Sequence, residues 1–276
     1  MPELPEVEHV VRALRRSIVN RRIVAAELKL PRLLVQPSPA SFKRKLRGAV
    51  ITGVSRRGKY ILIALDNAQV LLVHLRMTGK FISVSLDDQL PPYSHVVLHL
   101  DNERRLVFSD MRQFGRLRLL SSKALAELAQ IRALAPEPLL DEFTEEYFFA
   151  TLKKSRRSLK QLLLDQTKIL GLGNIYASEA LFLARISPLK SADTLSRKRA
   201  LLLFTAIRDV LHEAIEAGST LKIDLEDREG SYFGSDERFW RVYERAGEPC
   251  VNCGTKIRRA VQGGRSTYYC PKCQRG

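Results

Sequence analysis

Apolar residues at Val7, Val10, Val11, Leu14 and Ile18 recur at helical spacing, which predicts an amphipathic helix from Pro5 to about Asn20 with Arg12, Arg15 and Arg16 on its wet side. From Ile23 onward the pattern changes to short β-rich runs. Strands are predicted at 23–30, 49–55, 60–65, 70–75, 81–86, 95–100, 106–109 and 116–120, with Asp66-Asn67 and Asp101-Asn102 where hairpins must turn. Eight short strands at this spacing predict a two-sheet sandwich. Residues 132–143, with Pro136 and Pro138, break the β pattern and read as a linker. Beyond them the period is helical, at 144–153, 159–164, 175–184 and 192–216. Residues 218–237 hold six acidic residues without periodicity and are expected to form a mobile loop. The predicted class is α+β in two domains: a sandwich with a leading helix at 1–131, then a helical domain at 144–236 followed by its small cysteine-bearing module at 238–276.

Size and charge narrow the picture. A chain of 276 residues buries a sizeable core without help. Its 46 Lys and Arg against 30 Asp and Glu give +16 at pH 7, a surplus suited to a polyanion, of which nucleic acid is the commonest. The cations are dispersed, which argues against a basic membrane-binding arm. No apolar run approaches the ~18 residues of a spanning helix, and the start of the chain lacks the apolar core of a signal peptide. A cytoplasmic location without membrane association is therefore expected; oligomerisation has no signal in the sequence, and a monomer is the default.

Candidate chemistry begins at the N-terminus. Removal of Met1 makes Pro2 a secondary amine, and an α-amino group titrating near ~7.7–8.0 is partly neutral and nucleophilic at physiological pH. Attack on a sugar carbon gives an iminium, an electron sink for elimination. Glu3 and Glu6 lie within a turn of that amine and can move protons, while Pro5 and Glu6 also serve as ordinary helix-start residues. Arg56-Arg57-Gly58-Lys59 puts cations at a strand start, where Lys59 either reaches a reacting sugar or phosphate or is part of an exposed basic loop. Gly171-Leu172-Gly173-Asn174 precedes a helix. Its amides can approach a phosphate and Asn174 can cap the helix, with Arg156, Arg157, Lys160 and Lys168 nearby in sequence. Finally, Cys250-x-x-Cys253 and Cys270-x-x-Cys273 have the spacing of a four-thiolate zinc site on a hairpin. Four cysteines leave no open position, so one structural Zn²⁺ is expected, and the tail has no other core to hold it folded.

Together the segments Pro2-Glu3-Leu4-Pro5-Glu6-Val7-Glu8, Arg57-Gly58-Lys59-Tyr60, His74-Leu75-Arg76-Met77-Thr78-Gly79, Arg112-Gln113-Phe114-Gly115, Gly171-Leu172-Gly173-Asn174-Ile175-Tyr176-Ala177 and the cysteine tail with Gly264-Arg265-Ser266-Thr267 resemble the bacterial formamidopyrimidine-DNA glycosylase family from end to end. The resemblance implies a base-excision enzyme that is both glycosylase and lyase. Its β-sandwich and its helix-two-turn-helix domain with a zinc finger would clamp damaged double-stranded DNA. Pro2 would displace an oxidised purine such as 8-oxoguanine or a formamidopyrimidine, Glu3 would donate a proton at the sugar, and Lys59 and Arg265 would aid successive phosphate eliminations. Met77, Arg112 and Phe114 would fill the space left by the turned-out nucleotide. His74, His95, Arg156, Lys160, Asn174 and Arg265 would contact DNA. Tyr93 stands where the family commonly has histidine, and the loop 218–237, which covers the extruded base in the family, is acidic here. Two other readings are an endonuclease VIII-like enzyme for oxidised pyrimidines and a paralogue that binds damaged DNA without cutting it.

Overall fold

The computed structural model describes residues 1–217, 225–226 and 240–275. The chain divides into two units, Met1–Arg132 with Gly218–Gly234, and Ala133–Ala217 with Ser235–Gly276.

The first unit opens with helix α1, Leu4–Ile18, whose buried stripe of Val7, Val10, Val11, Leu14 and Ile18 is the one predicted from spacing. Strands β1 (Ile23–Leu28), β2 (Leu34–Gln36), β3 (Ile51–Arg57), β4 (Tyr60–Leu65), β5 (Gln69–His74), β6 (Gly79–Ser85), β7 (Ser94–Leu100), β8 (Arg104–Asp110) and β9 (Arg116–Ser121) follow. They form a four-stranded sheet ordered β1-β7-β8-β6 and a five-stranded sheet ordered β2-β9-β5-β4-β3. Phe81, Val96, Leu98 and Phe108 of one sheet share a core with Ile61, Ile63, Leu71, Val73 and Leu119 of the other, the interleaving expected of a sandwich. The β4–β5 and β7–β8 turns fall at the predicted Asp-Asn pairs, where Ala68 and Glu103 adopt left-handed backbone. Leu225 is buried in this unit's core, and its carbonyl accepts the Ser83 amide.

Three features depart from the predicted pattern. Helix α2, Pro39–Leu46, begins at Ser38, whose hydroxyl accepts the Ser41 amide; its run of Lys43, Arg44 and Lys45 hides the two buried residues Phe42 and Leu46. Strand β2 is a short parallel partner of β9, too brief to show alternation. Helices α3 (Ser122–Glu127) and α4 (Ala129–Arg132) carry no buried residue, so periodicity could not mark them.

The second unit contains α5 (Glu145–Lys153), α6 (Leu159–Leu163), α7 (Asn174–Leu183), α8 (Arg197–Ala217) and the hairpin β10 (Arg258–Gln262) and β11 (Arg265–Tyr269). Helix α7 is buried on nearly every side, as a central helix must be. The long helix expected at 192–216 is interrupted: Ala192–Thr194 is a short 3₁₀ turn, Leu195 is extended, and Ser196 accepts the Arg199 amide to start α8. Among the described residues no helix is long and apolar enough to cross a membrane. Most of the expected acidic loop 218–237 lies outside the described residues.

Candidate active site, nucleic-acid interface and metal centre

In the first unit, Pro2 is buried under an exposed Met1, and Glu3 and Glu6 are buried beside it. Glu6 Oε2 accepts the Glu3 amide at 2.9 Å, so this carboxylate fixes the helix start at the residue directly after Pro2. Lys59 is buried just after Gly58, whose φ of 55° makes the tight β3–β4 turn. His74, at the end of β5, packs edge-on against Tyr60 with ring centroids 4.8 Å apart. Burial, then the charges of Arg76 and Lys59, push its pKa down to about 3. The Arg76 amide donates to His74 Nδ1 at 3.0 Å, which places the ring proton of this neutral imidazole on Nε2.

Three loops at one end of the four-stranded sheet carry exposed apolar side chains. Met77, Tyr93, Met111 and Phe114 are each between 40 and 56% exposed, although their sequence neighbours are ordered by hydrogen bonds. The Arg112 guanidinium lies 5.0 Å from the centre of the Phe114 ring, so cation and wedge form one surface. Tyr93 adopts left-handed backbone with its ring in solvent. His95 does not share that exposure. It is buried, and its Nε2 is 2.9 Å from the Asp110 carbonyl, an acceptor that requires the proton on Nε2, so the ring braces the sheet end at Asp110.

In the second unit Gly171 turns the chain with φ at 90°, a conformation that favours glycine. The helix cap, however, is Gly173, and Asn174 is the first helical residue. Its Nδ2 donates to the Ser266 carbonyl at 2.9 Å, joining α7 to the hairpin. Lys160 departs further from expectation. It is 1% exposed, and its ammonium donates to the Asn174 carbonyl at 2.7 Å and to Ser178 Oγ. A buried ammonium must be satisfied internally, and these bonds make Lys160 a support for the Asn174 main chain. Arg156 and Arg265 are exposed, the latter directly after the Gly263-Gly264 turn whose φ values of 55° and 74° close the hairpin.

Cys250, Cys253, Cys270 and Cys273 place their sulfurs within 4.8 Å of one another. The Cys250–Cys273 and Cys253–Cys270 pairs are 3.9 and 3.5 Å apart. Zn–S bonds of ~2.3 Å in a tetrahedron require sulfur pairs at about 3.8 Å, so the four thiolates fit one zinc ion with a closed coordination sphere. Phe182, Val242 and Ile257 pack around the cluster. The Glu179 carboxylate, unmarked in the sequence because it sits within an apolar helix, accepts the amides of Arg241, Val242 and Tyr243 at 2.9–3.0 Å and so fixes the segment entering the finger.

A sandwich with a carboxylate-flanked N-terminus, a glycine turn before a buried helix and a four-thiolate hairpin define a zinc-bearing class of nucleic-acid enzyme. Residues 1–117 match the formamidopyrimidine-DNA glycosylase N-terminal domain, 134–224 the H2TH domain of the same enzymes, and 247–276 the zinc finger found in FPG and IleRS. The chain is 45% identical to the formamidopyrimidine-DNA glycosylase of Pelotomaculum thermopropionicum, covering 100% of this chain and 99% of the relative. It is 44% identical to that of Herpetosiphon aurantiacus, covering 99% and 100%. Similar solved structures include MutM in complex with carbocyclic 8-oxo-G containing DNA (TM-score 0.91, 35% identity, 100% of both chains). Another is Lactococcus lactis Fpg with a FAPY-dG containing DNA (TM-score 0.90, 35% identity, 99% of this chain and 100% of the other). A third is the Lactococcus lactis enzyme with an oxidised pyrimidine containing DNA (TM-score 0.91, 34% identity, 100% of both chains). The chain belongs to the formamidopyrimidine-DNA glycosylase family.

Proposed function

We propose that the protein is a DNA glycosylase and abasic-site lyase that removes oxidised purines, 8-oxoguanine and formamidopyrimidines, from double-stranded DNA. The observation that carries the reading is the pairing of Pro2 with two buried carboxylates, Glu3 and Glu6, at the start of α1. Once Met1 is removed, the proline nitrogen attacks C1′ of the damaged nucleotide and the C1′–N bond breaks, its electron pair leaving with the base. Glu3 protonates the ring oxygen so that the sugar opens to an iminium, with Glu6 next in the proton path. The iminium acidifies C2′; loss of that proton expels the 3′ phosphate, and a second elimination expels the 5′ phosphate.

Lys59 and His74 hold phosphates on the first unit, and Arg156, Asn174 and Arg265 do so on the second. Met77, Arg112 and Phe114 fill the vacated stack, and exposed Tyr93 adds an aromatic face beside them. Four cysteine thiolates hold a zinc ion that supplies folding energy to the tail and takes no part in the chemistry. The protein acts as a cytoplasmic monomer.

A substrate panel tests the reading. Duplexes carrying 8-oxoguanine are expected to lose the base and be cut at both flanking phosphates. Faster cutting of thymine glycol would move the assignment to oxidised pyrimidines, a second reading that the neighbouring oxidised-pyrimidine complex keeps in view. Binding without cutting would leave a damage-binding protein.

A further inference from the structure

We propose that Asp110 is a positioning residue that fastens the three apolar-tipped loops of the first unit into one rigid wedge. The inference rests on the glycosylase reading above. Asp110 ends β8 and is 0% exposed, yet it carries a carboxylate. Its Oδ1 accepts from the Thr78 hydroxyl at 2.5 Å, and its Oδ2 accepts the Gly115 amide at 2.7 Å. Thr78 adjoins Met77 and Gly115 adjoins Phe114, so one side chain grips the loops of both wedge residues. The Thr78 oxygen in turn accepts the Arg112 amide at 3.0 Å, closing a ring between the two loops. The main chain of Asp110 extends the grip: its amide donates to the Tyr93 carbonyl at 3.1 Å, and its carbonyl accepts from the Gln113 amide at 3.1 Å and from His95 Nε2 at 2.9 Å.

Packing reinforces the arrangement from below. A Cβ built on Gly79 would lie 2.9 Å from the Phe108 ring and 2.5 Å from the Leu75 carbonyl; one built on Gly115 would lie 2.6 Å from the same ring. Both loops therefore rest directly on Phe108, two residues before Asp110. A wedge that opens a base stack pays unstacking energy of a few kcal/mol at each step, and a loop that yields under that load inserts less. Fastening the loops of Met77, Tyr93, Arg112 and Phe114 to one buried residue, through its carboxylate and its main chain, makes the tips move together.

Thr78→Val removes the hydroxyl that both bonds use while keeping the shape, Thr78→Ser restores it, and Asp110→Asn removes the charge and leaves one acceptor oxygen where the Thr78 hydroxyl and the Gly115 amide now have one each. Each variant is assayed for single-turnover excision of 8-oxoguanine from a duplex and for cleavage of a preformed abasic site in a single strand, where no stack has to be opened. Thr78→Val and Asp110→Asn are expected to slow duplex excision about ten- to a hundred-fold, the scale of an ångström-sized misplacement, with single-strand cleavage within about twofold and Thr78→Ser close to wild type. Wild-type excision by Thr78→Val, or equal loss of both activities, would overturn the proposal. The Thr78 pair decides the matter if Asp110→Asn does not fold. Failure of the wild-type protein to excise would instead strike the glycosylase reading itself.

Discussion

His74 shows how neighbours set the chemistry of a single side chain. Burial and the adjacent Arg76 and Lys59 charges lower its pKa from 6.5 to about 3, so it is a neutral Nε2–H donor across the physiological range. Its imidazole signals are expected not to titrate between about pH 5 and 8; a midpoint near the ordinary value would contradict the assignment. The sign of the linked stability effect follows. Between pH 6.5 and 3 the unfolded chain binds a proton at this position that the folded chain does not, so acidification through that window destabilises the fold. Denaturation of wild type and His74→Asn is expected to give a stability difference that shrinks or reverses as the pH falls. At this scale the sequence marked residue identity better than residue role. His74, Lys160 and His95 all look like surface DNA contacts in their motifs, but Lys160 and His95 are buried and brace neighbouring backbone, because burial depends on packing partners distant in the chain.

Among the elements, the readable ones were those whose inward and outward faces differ. Helix α1 and the hairpins turning at Asp66-Asn67 and Asp101-Asn102 announce themselves through apolar spacing and turn residues. Helix α2 is obscured by three successive cations, β2 by its length, and α3 and α4 by having nothing buried. Glu179 illustrates a contact no pattern reveals, since its three amide partners lie more than sixty residues away. Glu179→Gln keeps the shape but removes the charge, so a loss of about 1.5–3 kcal/mol is expected by chemical denaturation, together with faster zinc release to a chelator. Unchanged stability and zinc retention would show that the carboxylate does not hold the entry to the finger. Gly79→Ala should be costly for a different reason, overpacking against the Leu75 carbonyl and Phe108, with a loss of about 1–3 kcal/mol measurable in the same way.

For the whole molecule, the charge of +16 and the cysteine spacing are legible in the sequence, because the first is a property of composition and the second of residue order. The return of Leu225 to the first unit's core is not, because the residues it packs against lie more than a hundred positions earlier in the chain. The charge surplus predicts DNA affinity that falls steeply with salt. Arg156→Ala and Arg265→Ala should each flatten the slope of log K against log salt by about one while weakening binding uniformly across sequences. An unchanged slope would remove those residues from the phosphate contacts. The most direct test of the central claim is borohydride reduction during reaction with an 8-oxoguanine duplex, followed by mass spectrometry of the trapped peptide. The deoxyribose remnant is expected on the nitrogen of Pro2 in a chain that has lost Met1. An adduct on a lysine, or full activity in protein that retains Met1, would contradict it.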